Sequence, residues 1–251
     1  MAEPRSNARS EILDRLRGTL AAQSSIFRDG TRRDDLPPIP TAVTEAQGDA
    51  LALAHLFGKR LEGVQGSYEI VEAPDVVSRI VQRIAHWRGR PPNPLIEADG
   101  VLSWDPAQLP LPRLEPQLRD AGIALVVPGD LHDRESRDRA AALDVGITGV
   151  DAAFASTGSV VLTSGAGRSR AASLLPLHHI LLVPMRKLFP TFESWLAKER
   201  GDGGLDDLVT RAGQVVFVTG PSKSADIELQ LTLGVHGPGA VHAVIFDDPA
   251  G

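Results

Sequence analysis

Apolar positions in this chain follow a helical period first and a strand-and-helix alternation later. Over residues 6–23, Ile12, Leu13, Leu16 and Leu20 recur at helical spacing, with Glu11, Arg15 and Arg17 on other faces. Residues 28–42 are polar and proline-rich and read as a linker. A second helix fits residues 44–60, with Leu51, Ala54, Leu56 and Phe57 apolar. Beyond it, Ser67–Glu72, Leu95–Ala98, Ile123–Val127, Val145–Gly149, Ser159–Thr163, His179–Val183, Gln214–Thr219 and Val241–Phe246 are short apolar strand candidates. Helices are predicted over Asp75–Arg88, stopped by Gly89, and Leu114–Ala121, stopped by Gly122. Residues 130–144 read as loop, then helix. The runs near Ile180–Val183 and Val215–Val218 read as buried strands. Short continuous apolar strands between helices predict an α/β fold with a mostly parallel sheet flanked by helices. The expected organisation is an N-terminal helical arm and linker over 1–43 and a single α/β domain over 44–251. The arm would pack on the body or on another copy.

Composition narrows the function classes. Among 251 residues, Lys plus Arg number 26 and Asp plus Glu 32, a net charge of -6. A general nucleic-acid binder carries a basic excess, which is missing here. There is no cysteine, which excludes disulfides, thiolate nucleophiles and cysteine-ligated clusters in this sequence. Aromatic residues at 4% leave no stacking platform for single strands. The 24 glycines and 19 prolines predict a turn-rich chain. The apolar runs are too short to span a bilayer, and the first residues lack a signal-peptide core. The expectation is a cytoplasmic protein with neither membrane nor nucleic acid as partner.

Ligands of open α/β sheets sit at the carboxyl ends of strands, so the segments that follow strands carry the candidate chemistry. SGAGRSRAAS, residues 164–173, supplies Gly165 and Gly167 for close backbone approach, Arg168 and Arg170 for charge, and three hydroxyls. A helix starting near Ser169 would favour an anion at its first turn. TGPSKSADIE, residues 219–228, supplies Gly220, Pro221 and Lys223, with Ser222 or Ser224 as a cap and Asp226 and Glu228 in the first turns of a helix. A glycine turn with solvated arginines and a well-capped helix without ligand explain the same residues. His236 lies between Gly234 and Gly237, a place for an acid or base or for a structural histidine. By alternation only one of His178 and His179 faces the core; His242 lies inside a strand. No metal-ligand spacing, nucleophile elbow, Walker A loop or dinucleotide fingerprint is present. Asp151 is a candidate carboxylate, and Thr157 and Ser159 flank Gly158.

The run from Gly146 to Pro184, with VTGPSKSADIELQLTLGVHGPGAVHAVIFD, resembles the lactate-utilisation protein C family, the LUD-domain family. The resemblance is strong over residues 145–246. It implies a fold similar to the sugar-phosphate isomerase, CoA-transferase and folate cyclo-ligase group. It implies a non-redox subunit working with iron–sulfur partner subunits that together oxidise L-lactate to pyruvate, a role a cysteine-free chain suits. The motif positions it carries over are Asp151, Thr157, Gly158, Gly165, Gly167, Arg168, Gly220, Pro221, Ser222, Asp226, Glu228, His236 and Gly237. Related chains carry an acidic residue near the position of Ser156, where this chain has Ser156–Thr157–Gly158 instead, a departure that counts against a carboxylate role at this loop. Two other readings stay open. One is a stand-alone isomerase, transferase or cyclo-ligase on a phosphorylated or nucleotide ligand. There Asp226, Glu228 or His236 would act as acid or base, and Thr157, Gly158, Gly165, Gly167, Arg168, Gly220, Ser222 and Lys223 would cradle the ligand. The other is a regulatory or scaffold module. No metal is expected, and the expected ligand is a small phosphate-, nucleotide- or carboxylate-containing anion.

Overall fold

The computed structural model describes residues 12–18, 46–90, 100–129, 131–225, 231–234 and 236–247. The chain divides into two compact units, Met1–Pro40 and Thr41–Gly251. In the first, residues 12–18 form helix α1. The linker expected over 28–42, the segment Leu95–Ala98, and Asp226 and Glu228 lie outside the described residues.

The second unit opens with α2 (Ala50–Gly63). It starts later than the apolar pattern implied, because Asp49 caps it by accepting from the Ala52 N–H at 2.8 Å. Leu53, Phe57 and Leu61 form its buried stripe. Strand β1 (Ser67–Glu72) follows, and α3 (Val76–Arg88) buries Val76, Ile80 and Ile84, spaced four apart, before ending at Gly89. Then come β2 (Val101–Ser103), α4 (Leu114–Asp120), β3 (Leu125–Val126) and α5 (Arg134–Ala141). Next are β4 (Val145–Thr148), β5 (Ala152–Phe154), β6 (Ser159–Ser164), the single turn α6 (Ala171–Leu174) and β7 (His178–Pro184). The chain continues through β8 (Leu188–Phe189), α7 (Phe192–Asp202), α8 (Gly204–Arg211) and β9 (Gln214–Val218). It finishes with β10 (Lys223–Ala225), β11 (Leu231–Leu233) and β12 (Ala240–Asp247).

Six strands form one sheet in the order β1-β12-β7-β4-β2-β3, and every pairing in it is parallel. Helices α2, α3, α4 and α6 pack against it. Its central strands β4, β7 and β12 are nearly continuous apolar runs, buried as a sheet covered on both faces requires. The main core gathers fully buried Phe57, Ile80, Ile84, Ile147, Ile180 and Phe246, each contributing about 1.5–3 kcal/mol by leaving water. Arg88 fixes α3 to this sheet. Its side chain is 6% exposed and bonds both carboxylate oxygens of Asp144 and the carbonyl of Gly100.

Four details differ from the pattern read in the sequence. First, β6 and β9 leave the parallel sheet: with β5 and β8 they make a second, mixed sheet ordered β8-β5-β6-β9. Phe154, Val161 and Trp195 build its own small core against α7. Second, the run Val215–Val218 is not buried. It is the edge of that second sheet, with Val215 39% and Phe217 52% exposed. Third, Ile123–Val127 shortens to a two-residue, half-buried edge strand. Fourth, no helix starts at Ser222 or Ser224. Residues 223–225 pair antiparallel with 231–233, so cross-strand hydrogen bonds override the local capping signal. Among the described residues, no helix is long and apolar enough to cross a membrane.

Candidate functional site

Two cavities lie at opposite ends of β7, roughly 20 Å apart at about 3.3 Å per residue. The first, about 270 Å³, opens at the amino ends of β7 and β12. Arg170, Ser173 and Leu174 reach it from the segment around α6, Val216–Val218 from β9, and Gly220–Ser222 and His236–Pro238 from the two glycine-rich segments. Those two segments are fastened together. The Ser222 N–H donates to Pro238 O at 2.8 Å, and the Gly234 N–H donates to Ser222 O at 2.9 Å. Gly220 also presses on the residue that ends α2, since a Cβ there would meet Val64 at 2.8 Å.

The back of this cavity is His179, only 1% exposed. Its Nε2 lies 2.9 Å from Thr148 Oγ1, while its Nδ1 is buried with no partner. Burial pushes its pKa down to about 3, so the ring is neutral at pH 7. The Thr148 hydroxyl is itself fully buried, so this one bond serves both groups and holds the ring at the back of the cavity. At the mouth, the Arg170 side chain is held by Gln214 Oε1 at 2.9 Å, and exposed His236 lines the same cavity. The arrangement can orient a small anion: charge at the rim, a neutral imidazole at the back, and apolar walls from Leu174, Val216 and Val218.

The second cavity, about 220 Å³, lies beyond the carboxyl ends of β2, β4 and β7, lined by Trp104, Gly149–Asp151 and Pro184 with Arg186 and Lys187. The chain reverses its direction across the sheet between β2 and β4, so this is a topological switch point. Arg168 and Asp151 meet here at 2.6 Å. Asp151 also accepts from the Thr163 N–H at 2.7 Å and its hydroxyl at 2.9 Å. The Arg168 guanidinium stacks 5.0 Å over Trp104 and donates to Gln108 Oε1 at 3.0 Å.

The residues singled out in the sequence therefore divide. Gly220, Pro221, Ser222, His236 and Gly237 share the first cavity, and Asp151 and Arg168 share the second. Thr157 and Gly158 occupy the turn between β5 and β6, where Gly158 lies against the backbone of Arg60 and Leu61 in α2. Gly165 pairs with Arg168 in a tight turn. Gly167, at φ +72°, accepts from the Asp105 N–H at 2.7 Å, and a Cβ there would press on Gln108 and Asp105. The turn is thus filled by protein. Lys223 is exposed on β10 and lines neither cavity. Helix α6 is a single turn with Arg170 at its N-cap, too short to build a helix-terminus anion site after Gly167. His178 stacks on Trp87 at 4.7 Å. His242 links Ser67 Oγ at 2.8 Å and Glu69 Oε1 at 2.9 Å, tying edge strand β1 to β12. Sequence reasoning placed no function on His179 or Lys187. His179 reads as one more residue of a buried strand, and its unpartnered nitrogen is visible only in three dimensions.

The family model described as LUD domain matches residues 101–246. A lactate utilization protein C of Exiguobacterium sp. is 43% identical over 113 residues, covering 45% of this chain and 48% of that protein. A lactate utilization protein C of Shouchella clausii is 33% identical over 154 residues, covering 60% and 64%. The match thus spans about half the length of the first of these relatives. The crystal structure of a DUF162 family protein from Deinococcus radiodurans superposes with a TM-score of 0.53 at 19% identity, covering 80% of this chain and 99% of that one. That likeness shows a common fold.

Proposed function

The chain belongs to the LUD-domain family, and on that premise we propose that it is a lactate utilization protein C-like, non-redox subunit of a cytoplasmic complex oxidising L-lactate to pyruvate. The observation that carries this reading is the first cavity, where Arg170 and the neutral, buried His179 line the same space. A guanidinium fork suits a carboxylate through charge-assisted hydrogen bonds. Oxidation of lactate releases two electrons and two protons. This chain has no cysteine to ligate a cluster, so the electrons pass to iron–sulfur partner subunits. Its own part is to hold and orient the carboxylate. The names of the relatives at 33–43% identity support the lactate assignment.

The test combines binding with growth. Pyruvate and L-lactate are titrated into the purified chain and into Arg170→Met, whose exposed side chain is replaceable without disturbing the core. We expect binding by the parent protein and at least a tenfold loss in the variant. Deletion of the gene should abolish growth on L-lactate, with restoration by the parent gene. Absence of binding together with normal growth of a deletion strain lacking any paralogue would overturn the reading.

A further inference from the structure

The second cavity is chemically unlike the first and lies at the far end of β7. Its lining carries three cationic side chains, Arg168, Arg186 and Lys187, and one carboxylate, Asp151. That carboxylate is already engaged, since one oxygen takes Arg168 and the other takes both donors of Thr163. Lys187 follows directly on the carboxyl end of β7, in a short turn after Pro184. It is half-buried and has no hydrogen bond or ion pair among the described residues. Withdrawal from water lowers the pKa of its ammonium, and the nearby Asp151 only partly opposes that. A half-desolvated ammonium facing open space is an unfavourable arrangement that an anion would relieve. Phosphate and carboxylate groups are anions of a size the 220 Å³ cleft accepts. The rim is rigid in the sense a binding site needs. Arg168 is clamped by Asp151, Thr163, Gln108 and the Trp104 ring, so it cannot swing away from the cleft without breaking several contacts.

We propose that the cleft at the carboxyl ends of β2, β4 and β7 is a second ligand site, which binds the oxyanion group of a small metabolite with Lys187 as its anchoring cation. This site is independent of the Arg170 and His179 cavity, so the two readings stand or fall separately.

Inorganic phosphate and pyruvate are the probes, each titrated calorimetrically into Arg170→Met, whose first cavity lacks its cation, and into the same protein carrying Lys187→Met or Lys187→Arg in addition. The expected result is saturable binding of one probe by Arg170→Met that Lys187→Met weakens at least tenfold and Lys187→Arg largely keeps. Preference for phosphate or for pyruvate identifies the oxyanion as phosphoryl or carboxylate. Equal binding after Lys187→Met, or no binding by Arg170→Met up to about 10 mM, would overturn the proposal. A measurement on the parent protein guards against a variant that fails to fold. With lysines carrying ¹³C-methyl labels, the Lys187 signal should shift on addition of the binding probe and its pKa should rise. A Lys187 signal that stays fixed while the probe binds would equally overturn it.

Discussion

The Thr148 hydroxyl and Nε2 of His179 lie 2.9 Å apart between adjacent strands β4 and β7. This one bond holds the histidine ring in place at the back of the first cavity. Thr148→Val keeps the shape and removes the hydroxyl, which leaves a buried ring nitrogen unsatisfied. We expect a loss of about 1–3 kcal/mol in urea unfolding, with weaker pyruvate binding because the ring is no longer held in place. Thr148→Ser keeps the hydroxyl and should retain most of the affinity. Equal affinity in Thr148→Val and the parent protein would show that the ring orientation has no role in binding.

Two buried histidines make stability depend on pH. Burial lowers His179 to about 3. Burial also lowers His242 to about 4, outweighing the bond to Glu69 that favours its protonated form. Both groups are depressed below the ordinary value of 6.5. Between those limits the unfolded chain therefore binds more protons than the native one. Stability rises with pH in that window and is lost as pH falls from about 6.5. Each histidine adds a slope of up to about 1.4 kcal/mol per pH unit. Urea midpoints should therefore fall between pH 6.5 and about pH 5, before most carboxylates titrate. Midpoints that hold steady or climb on acidification would contradict this account.

The ion pair of Asp151 and Arg168 is partly shielded, with side chains 16% and 29% exposed. Its value lies in the connections it completes, because Asp151 also gathers both donors of Thr163 at the end of β6. Asp151→Asn should cost about 2 kcal/mol, below the range for a fully buried pair because water still reaches it. Arg168→Lys should fail to rescue. A lysine cannot bond Gln108, Asp151 and Thr163 together while lying on the Trp104 ring. Thermal unfolding of both variants would decide the point, and a melting temperature unchanged in Arg168→Lys would refute it.

The parallel sheet was legible because β4, β7 and β12 are continuous apolar runs, and continuity is what two-sided burial requires. The same signal misled at β9. Val215 and Phe217 are apolar, yet they lie on an edge strand that pairs with β6 alone. Strands β5 and β8 left no trace, since Ala152–Phe154 and Leu188–Phe189 are too short for any period to register. At Ser222 the local signal for a helix start was real, but pairing of residues 223–225 with 231–233 is a longer-range interaction that no local rule contains. Because β6 and β9 run antiparallel, the loops carrying Arg168 and Lys223 leave opposite ends of the pair. Arg170, two residues beyond Arg168, is the one that reaches the first cavity.

Gly158, a candidate ligand cradle in the sequence, packs tightly against α2. Its φ is +70°, where a side chain is strained, and a Cβ would lie 2.4 Å from the Leu61 nitrogen and 2.8 Å from the Arg60 carbonyl carbon. Those atoms belong to the backbone of α2, so nothing flexible can give way. Gly158→Ala should therefore cost about 3 kcal/mol or more, from strain and the forced separation of the β5–β6 turn from the helix. Gly63 provides the control. It ends the same helix, is exposed, and a Cβ there meets nothing within 4 Å. Gly63→Ala should be neutral or stabilise by about 0.5 kcal/mol through the unfolded state. Chemical unfolding of the two variants side by side tests both numbers. If Gly158→Ala proves as benign as Gly63→Ala, the turn does not rest on α2 as described, and a ligand role for Gly158 regains its standing.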